Sequence, residues 1–274
     1  MAVLTIDYER RDEELAKIQI TEPKYMAKKV DTALGRVYVL LVDNEPVLDA
    51  FSYSATTLLS VIDKGIGFLK FYAQGYEQAQ SYGMYRAWIG TLVHDIIEKL
   101  LQGLEMDLSS RIKIPNEYKN IHIGIGENIP PEVDRRVEAF VDWWNTLNEP
   151  EILAVELLLF DPKYYVAGTL DLLIRVDGKV MLVDFKTGKK HEKTQSIQLT
   201  YYKNLVEILY DIKVDEMACL FLTDKGKYKY EIMNYEPEIA EITYHLFKYK
   251  NSTFKTQKMP DIKINKEKTR IFKL

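Results

Sequence analysis

The feature that most constrains the fold of this chain is the pair Asp177-Gly178, which lies between two apolar runs rich in β-branched residues. An Asp-Gly pair in this setting predicts a two-residue type I′ turn and therefore an antiparallel hairpin over residues 167–187. Pairing about that turn brings together residues whose numbers sum to about 355, so Asp171 is predicted directly opposite Asp184. Opposed like charges destabilise a strand pair. A divalent cation with oxygen ligands would remove this repulsion, so the hairpin predicts a metal site.

The second strand of the hairpin adds a positive charge on the same face. Because side chains alternate along a strand, Lys186 is predicted beside Asp184 and opposite Thr169. The two residues could instead form a surface ion pair, which would be worth only about 0.2–1 kcal/mol. They follow an apolar run at 180–183, however, which predicts the end of a buried strand.

Periodicity and turn signals order the other elements. The sequence predicts a hairpin at 36–53, helices at about 55–78 and 85–102, a segment without clear periodicity at 104–129, a helix from Pro130-Pro131 to about 148, a strand at 151–160, the hairpin described above, a helix at 195–210 and a strand at 216–223. Strands and helices alternate in this order, which predicts an α/β fold with a mixed central sheet flanked by helices.

Composition limits the setting of the fold. With 274 residues and 47% apolar content, the chain can bury a large core. One cysteine, Cys219, excludes a disulfide framework and predicts a reducing, cytoplasmic environment. The first residues show no signal peptide, and the most apolar stretch, 152–160, is too short to span a bilayer and contains Glu156. We therefore expect no membrane association.

Charge is distributed unevenly along the chain. The net charge is −4, yet residues 245–274 hold nine Lys or Arg against two Asp or Glu. This basic segment either follows a phosphate backbone or is a solvated surface, and both interpretations stay open. A second basic cluster lies at the end of the hairpin and in the residues that follow it, and contact with DNA is the favoured interpretation of this cluster. Its members are Lys186, Lys189, Lys190, His191 and Lys193.

Four sequence elements follow one another along the chain, and together they are more specific than any one of them alone. They are Gly90-Thr91-x-x-His94-x-x-x-Glu98, Gly168-x-x-Asp171, Asp184-x-Lys186 and Gln198-x-x-x-Tyr202. Over residues 84–210 they resemble the RecB-type nuclease domain of the PD-(D/E)XK superfamily, and residues 53–64 resemble the entry segment of phage-encoded members. The resemblance implies a restriction-endonuclease-like αβββαβ core within a single nuclease domain over 1–274. In this domain, an N-terminal hairpin and helix occupy 1–84, the core occupies 85–223 with an insertion at about 104–150, and a C-terminal strand, helix and basic segment occupy 224–274.

The same resemblance implies roles for individual residues. The implied ligands of Mg²⁺ or Mn²⁺ are His94, Asp171, Asp184 and the main-chain carbonyl of Phe185. Glu156 interrupts an apolar strand, so it either supports a neighbouring ligand or binds a second ion. Lys186 would position the nucleophile or offset charge in the transition state. Gln198 and Tyr202, one helical turn apart, are implied at the edge of the active site, and the implied substrate-binding residues are Lys189, Lys190, Lys193 and Tyr201.

The implied function is metal-dependent hydrolysis of DNA by an exonuclease of recombination or repair, of phage or prophage origin. A structure-selective endonuclease could use the same ligands, and an RNA-processing role is less favoured. A non-catalytic nucleic-acid-binding or assembly protein is the alternative of a different class, but it would have no physical reason to keep opposed carboxylates. We expect no iron–sulfur cluster, which in some relatives requires four cysteines, and no nucleotide cofactor, because no phosphate-loop motif is present. A helicase or single-strand-annealing protein in trans and a homo-oligomer both stay open as partners.

Overall fold

The computed structural model describes residues 25–32, 35–42, 45–62, 73, 75–104, 131–161 and 166–251. Within these residues, eight strands form one mixed sheet: β1 Tyr25–Thr32, β2 Gly35–Val42, β3 Glu45–Ser54, β4 Glu151–Asp161, β5 Val166–Val176, β6 Lys179–Lys186, β7 Glu216–Leu222 and β8 Tyr228–Ile232. The helices are α1 Ala55–Leu58, which continues into a 3₁₀ turn at Leu59–Val61, then α2 Tyr76–Leu101, α3 Pro131–Trp144, α4 Glu192–Tyr210 and α5 Pro237–Asn251. The predicted α/β fold with a mixed sheet and flanking helices is confirmed.

The β5–β6 hairpin has the predicted turn and register. Asp177 and Gly178 both have positive φ angles, 48° and 79°, as a type I′ turn requires. Leu172 pairs with Val183, so the residue numbers of the partners sum to 355 as predicted.

Beyond the pair Leu172–Val183 the two strands separate. β6 continues as the parallel neighbour of β7, whereas the first residues of β5, Val166 and Ala167, pair with the end of β3. Residues 168–170 pair only with β4 in the described part of the chain. The divergence opens a notch in the sheet where the predicted site residues lie.

Helices cover both faces of the sheet and enclose two apolar clusters. On one face, α1, α4 and α5 pack over side chains such as Leu173, Leu182 and Cys219. On the other face, α2 and α3 pack over Leu172, Val183 and Phe185. The notch between β5 and β6 is therefore accessible to side chains from α2 on one face and from α4 on the other.

Two predicted helix boundaries are wrong. The helix predicted at 55–78 is interrupted, because Ile62 is extended (φ −84°, ψ 129°). Several residues of this segment are β-branched threonine and valine, which lower helix propensity. The next helix begins at Tyr76 rather than at 85 and tolerates Gly83 in its interior.

The structure adds a strand, β1, that the sequence analysis did not predict. The segment without clear periodicity lies outside the described residues except for Leu104, and the basic segment lies outside them beyond Asn251. Among the described residues, no helix combines the length and the apolar character needed to cross a membrane.

Candidate active site

Three acidic residues form a row across neighbouring strands at the notch. Glu156 of β4 lies between the pairs Val155–Leu172 and Leu157–Leu170, which places it opposite Asp171 of β5. Asp184 follows Val183 on β6, next to the point of separation. Asp171 and Asp184 are both buried, at 7% and 4% exposure. Because buried carboxylates repel one another, this row requires positive charge close by.

The separation of β5 and β6 changes the predicted geometry of the hairpin. Asp171 is not a ladder partner of Asp184; its Oδ2 atom instead accepts a hydrogen bond from the Phe185 main-chain N–H, at 2.6 Å. Lys186 pairs with Phe221 of β7 and does not lie opposite Thr169. Where the strands diverge, the Asp171 carboxylate therefore accepts the hydrogen bond that a main-chain carbonyl of β5 would otherwise accept. Both acids stay in the site, but they do not lie directly opposite each other as ladder partners.

His94 reaches the acids from α2. Its Nδ1 atom lies 3.3 Å from Asp171 Oδ1 and 4.0 Å from Glu156 Oε1, and its Nε2 atom lies 3.1 Å from the Phe185 carbonyl oxygen. One turn earlier, a Cβ atom on Gly90 would lie 3.2 Å from Thr187 Oγ1. The absence of a side chain at Gly90 lets α2 approach the end of β6 closely enough for the imidazole to enter the notch.

The protonation of the cluster reflects its charge. Burial alone would lower the pKa of His94, but Asp171, Glu156 and Asp184 outweigh it and raise that pKa to about 9. Burial raises the pKa of Asp184, with Asp171 adding to the effect and Lys186 opposing it. Burial would also raise the pKa of Asp171, but His94, Lys186 and the Phe185 N–H hold it below its usual value. The carboxylates therefore favour the protonated form of His94, which adds to the positive charge of Lys186.

Lys186 is held by a chain of contacts that ends at Gly168. Its Nζ atom lies 2.5 Å from Asp184 Oδ2 and donates to Gln198 Oε1 at 3.2 Å. Gln198 Nε2 in turn donates to the hydroxyl of Tyr202, also at 3.2 Å. The ring of Tyr202 lies directly on Gly168, where an added Cβ would be 2.4 Å from its Cε1 atom. All four sequence elements therefore meet in one site.

The donor set fits a divalent cation. His94, Glu156 and Asp171 each offer a ligand atom, and the three atoms lie within 4.8 Å of one another. Carboxylate oxygens suit Mg²⁺ and Mn²⁺, and an imidazole is an acceptable additional ligand for a first-row metal. With neutral His94, three carboxylates and Lys186 carry a net charge of −2, which one divalent ion neutralises. Asp184 lies beside this trio, with Lys186 as its closest ionic partner.

The backbone of Glu156 is unusual for a strand. Its φ angle is 50°, in the left-handed region that non-glycine residues rarely occupy. Such conformations cost about 1–3 kcal/mol and cluster at functional sites. Here the left-handed residue is the one that brings a third carboxylate to the row.

The predicted substrate-binding residues lie in different surroundings. Tyr201 is buried, and its hydroxyl donates to the Ala240 carbonyl of α5, so the structure does not bring it to the cluster. Lys189 is exposed in the segment that links β6 to α4, and Lys193 is exposed in the first turn of α4. Lys190 is exposed too, and it pairs with Glu231 of β8 and with Glu192.

Arg86, which was not predicted as a site residue, connects α2 to the end of the hairpin. Arg86 Nη2 donates to the Thr187 carbonyl at 3.2 Å, and Nη1 donates to Glu132 of α3 at 2.7 Å. Glu132 also accepts from the Tyr85 hydroxyl and from buried Arg136. The signal available in the sequence was helical spacing, because residues 86, 90 and 94 share one face of α2.

Together, the mixed α/β sheet and the acidic cluster define a protein with a candidate divalent-metal site at the edge of a divergent hairpin. The family model of the PD-(D/E)XK nuclease superfamily matches residues 66–264, which is most of the chain. This chain therefore belongs to the PD-(D/E)XK nuclease superfamily, and membership indicates a metal-dependent nuclease with DNA as its substrate.

The other comparisons are less informative. No curated protein matched this chain. Among solved structures, the chain is similar to one described as the crystal structure of SSO0001, with 17% sequence identity over 60% of this chain and 84% of that one, and a TM-score of 0.30.

Proposed function

We propose that this protein is a metal-dependent DNA exonuclease of the RecB type. The observation that supports the proposal most strongly is the meeting of His94, Glu156 and Asp171 around one point, beside Lys186. Such a cluster does not help a fold to be stable, because burying several charges is costly unless each is compensated.

We propose that His94, Glu156 and Asp171 hold Mg²⁺ or Mn²⁺, with Asp184 and the Phe185 carbonyl beside them. A bound ion would lower the pKa of a water molecule and polarise the scissile phosphate. His94 must give up its proton to become a ligand, whereas Asp171 is already ionised, since its pKa is held low. Glu156 in this proposal is a direct ligand, which would explain its left-handed backbone.

Lys186 is proposed as the residue that offsets charge on the phosphate. Its ammonium group is held against Asp184 and Gln198, so it needs little rearrangement when substrate arrives. Preorganised charge of this kind is typically worth about 10²–10³ in rate. Gln198 and Tyr202 serve to position Lys186, because the amide of Gln198 is oriented by the hydroxyl of Tyr202.

The exonuclease mode rests on the resemblance of the four sequence elements to RecB-type members. We extend the proposal on that basis to a role in recombination or repair, to phage or prophage origin and to a single nuclease domain. Lys189, Lys190 and Lys193 are proposed to contact the DNA backbone, since they lie within seven residues after Lys186. A helicase or annealing partner, or a ring of identical subunits, would be compatible with this role.

The experiment compares end-labelled linear duplex, single-stranded DNA and closed circular DNA in Mg²⁺, Mn²⁺ or EDTA. We expect metal-dependent loss of linear DNA that is abolished in Asp171→Asn. Asp177→Asn is the matched control, because it makes the same chemical change at the turn of the same hairpin, where asparagine is favoured. Cleavage of closed circles would replace the exonuclease mode by an endonuclease. Intact DNA in every lane, with binding retained, would refute catalysis and favour a non-catalytic DNA-binding protein.

A second pair of variants tests the role of Lys186. Lys186→Ala should lower turnover by roughly 10²–10³ while DNA binding is largely kept. Lys179→Ala, at the exposed start of the same strand, should cut at the wild-type rate. Wild-type turnover in Lys186→Ala would show that Lys186 does not act on the phosphate.

A further inference from the structure

The strand register extends the row of site residues to the edge of the sheet. Asp184 pairs with Cys219, which pairs with Glu231 of β8. Lys186 likewise pairs with Phe221, which pairs with Lys229. Because cross-strand partners project to the same face of a sheet, Lys229 and Glu231 share a face with Lys186 and Asp184. The register therefore places Lys229 and Glu231 two strands from the site on that face, and Cys219 and Phe221 between them are buried in the core.

Glu231 joins two lysines that are distant in sequence. Its carboxylate contacts the ammonium groups of both Lys190, from the segment after β6, and Lys229, from β8 itself. The Glu231 side chain is only 11% exposed, whereas those of Lys190 and Lys229 are 40% and 71% exposed. A nearly buried acid thus holds two accessible ammonium groups close together on the surface.

The local charge contrasts with that of the whole chain. Residues 187–193 and 223–231 contain six lysines against three acidic residues, a net charge of +3. The whole chain carries −4. The positive charge is therefore concentrated on the segments that border the row from Lys186 to Lys229.

We propose that Lys190 and Lys229, held by Glu231, form a phosphate-binding platform for the DNA strand next to the cleavage site. The proposal rests on the proposed nuclease function and adds the direction of the substrate, which passes the exposed segments after the carboxyl ends of β6 and β7 toward β8. Lys186 and Lys229 are two strand spacings apart, about 10 Å at the backbone. That distance is about three times the 3.4 Å axial rise per nucleotide of one B-form strand. The platform therefore contacts phosphates a few nucleotides from the scissile bond.

The first test measures affinity by fluorescence anisotropy of a fluorescein-labelled duplex, in EDTA and in Ca²⁺, over a range of salt concentrations. Lys190→Ala and Lys229→Ala should each weaken binding roughly 3- to 10-fold and lower the salt-dependence slope by about 0.9, the value for one phosphate contact. The matched controls are Lys179→Ala and Lys213→Ala, which remove exposed lysines at the opposite end of β6 and β7. Platform variants that bind like these controls would overturn the proposal.

A second test locates the contact. Lys229→Cys carries a photocrosslinker, and Cys219 is buried, so labelling is directed to position 229. Crosslinks should fall within about three nucleotides of the cleavage position. Crosslinks spread evenly along the duplex would refute the direction of the substrate.

These experiments separate the two proposals. A wild-type protein that neither binds nor cuts DNA would refute the nuclease proposal itself. A wild-type protein that cuts DNA, with Lys190→Ala and Lys229→Ala unchanged in affinity, would refute the platform and the contact of Lys190 with DNA while leaving the nuclease proposal intact.

Discussion

Replacement of Gly168 by alanine tests how β5 fits against α4. An added Cβ would lie 2.4 Å from Tyr202 Cε1, 2.7 Å from its hydroxyl oxygen and 2.9 Å from Cζ. Carbon atoms in favourable contact lie about 3.5–4.0 Å apart, so the ring would have to move by about 1 Å or more. Tyr202 is only 3% exposed, and its hydroxyl is bound by Gln198. The ring therefore cannot move without disturbing the contacts of Lys186.

The cost follows from this crowding. Extra methyl groups in a well-packed interior typically destabilise a protein by about 1–3 kcal/mol. For a protein of this size, each kcal/mol lowers Tm by about 2–4 °C, so Gly168→Ala should lower Tm by about 2–12 °C. Turnover should fall as well, because displacement of Tyr202 passes through Gln198 to Lys186.

A double-mutant cycle isolates the contact. Tyr202→Ala removes the ring at a cost of about 3–5 kcal/mol, and in that background Gly168→Ala should cost almost nothing. Urea unfolding followed by tryptophan fluorescence gives the free energies. Gly188→Ala is the control, because an added Cβ there meets no atom within 4 Å. An equal cost of Gly168→Ala with and without the ring would refute the reasoning.

Three further predictions concern the metal cluster and its supports. Because the pKa of His94 is about 9, metal binding at pH 7 must displace its proton. The affinity for Mn²⁺, measured by calorimetry, should therefore rise about tenfold between pH 7 and 8 and level off above about pH 9. An affinity that does not change with pH would exclude His94 as a ligand. Arg86→Met removes the hydrogen-bond donors to Thr187 and Glu132, so kcat should fall roughly tenfold while KM for DNA stays unchanged. Arg86→Lys should restore part of the lost kcat. A rise in KM alone would instead indicate that Arg86 contacts the substrate. Glu156→Gly should raise the free energy of unfolding by about 1 kcal/mol, because glycine adopts the left-handed backbone conformation without strain. The same change should weaken metal binding, because it removes a carboxylate ligand. A lower free energy of unfolding would contradict the strain at Glu156.

Local sequence was sufficient for the β5–β6 hairpin. An Asp-Gly turn has few alternatives, and the alternation of side chains fixes which residues lie on each face, so the register through Leu172–Val183 is as predicted. The helices and strands of the core were also predictable, because their periodic patterns are strong. The same patterns indicated that Asp171, Asp184 and Lys186 lie near one another.

Competition between neighbouring elements decided the rest. The hairpin separates after Leu172 because β6 pairs with β7 while β5 meets β3, and no local signal encodes that choice. The left-handed backbone of Glu156 likewise depends on its neighbours in the sheet.

Side-chain direction on the helices was also decided by packing. Tyr201 and Tyr202 are adjacent in sequence, yet one hydroxyl binds α5 and the other binds Gln198 at the site. Glu231 and Lys190 are distant in sequence and meet only because β8 pairs beside β7. The sequence by itself determined the helices and strands and the chemical groups available for catalysis. The tertiary structure decided which of these groups share one site, because contacts between distant segments depend on how whole helices and strands pack.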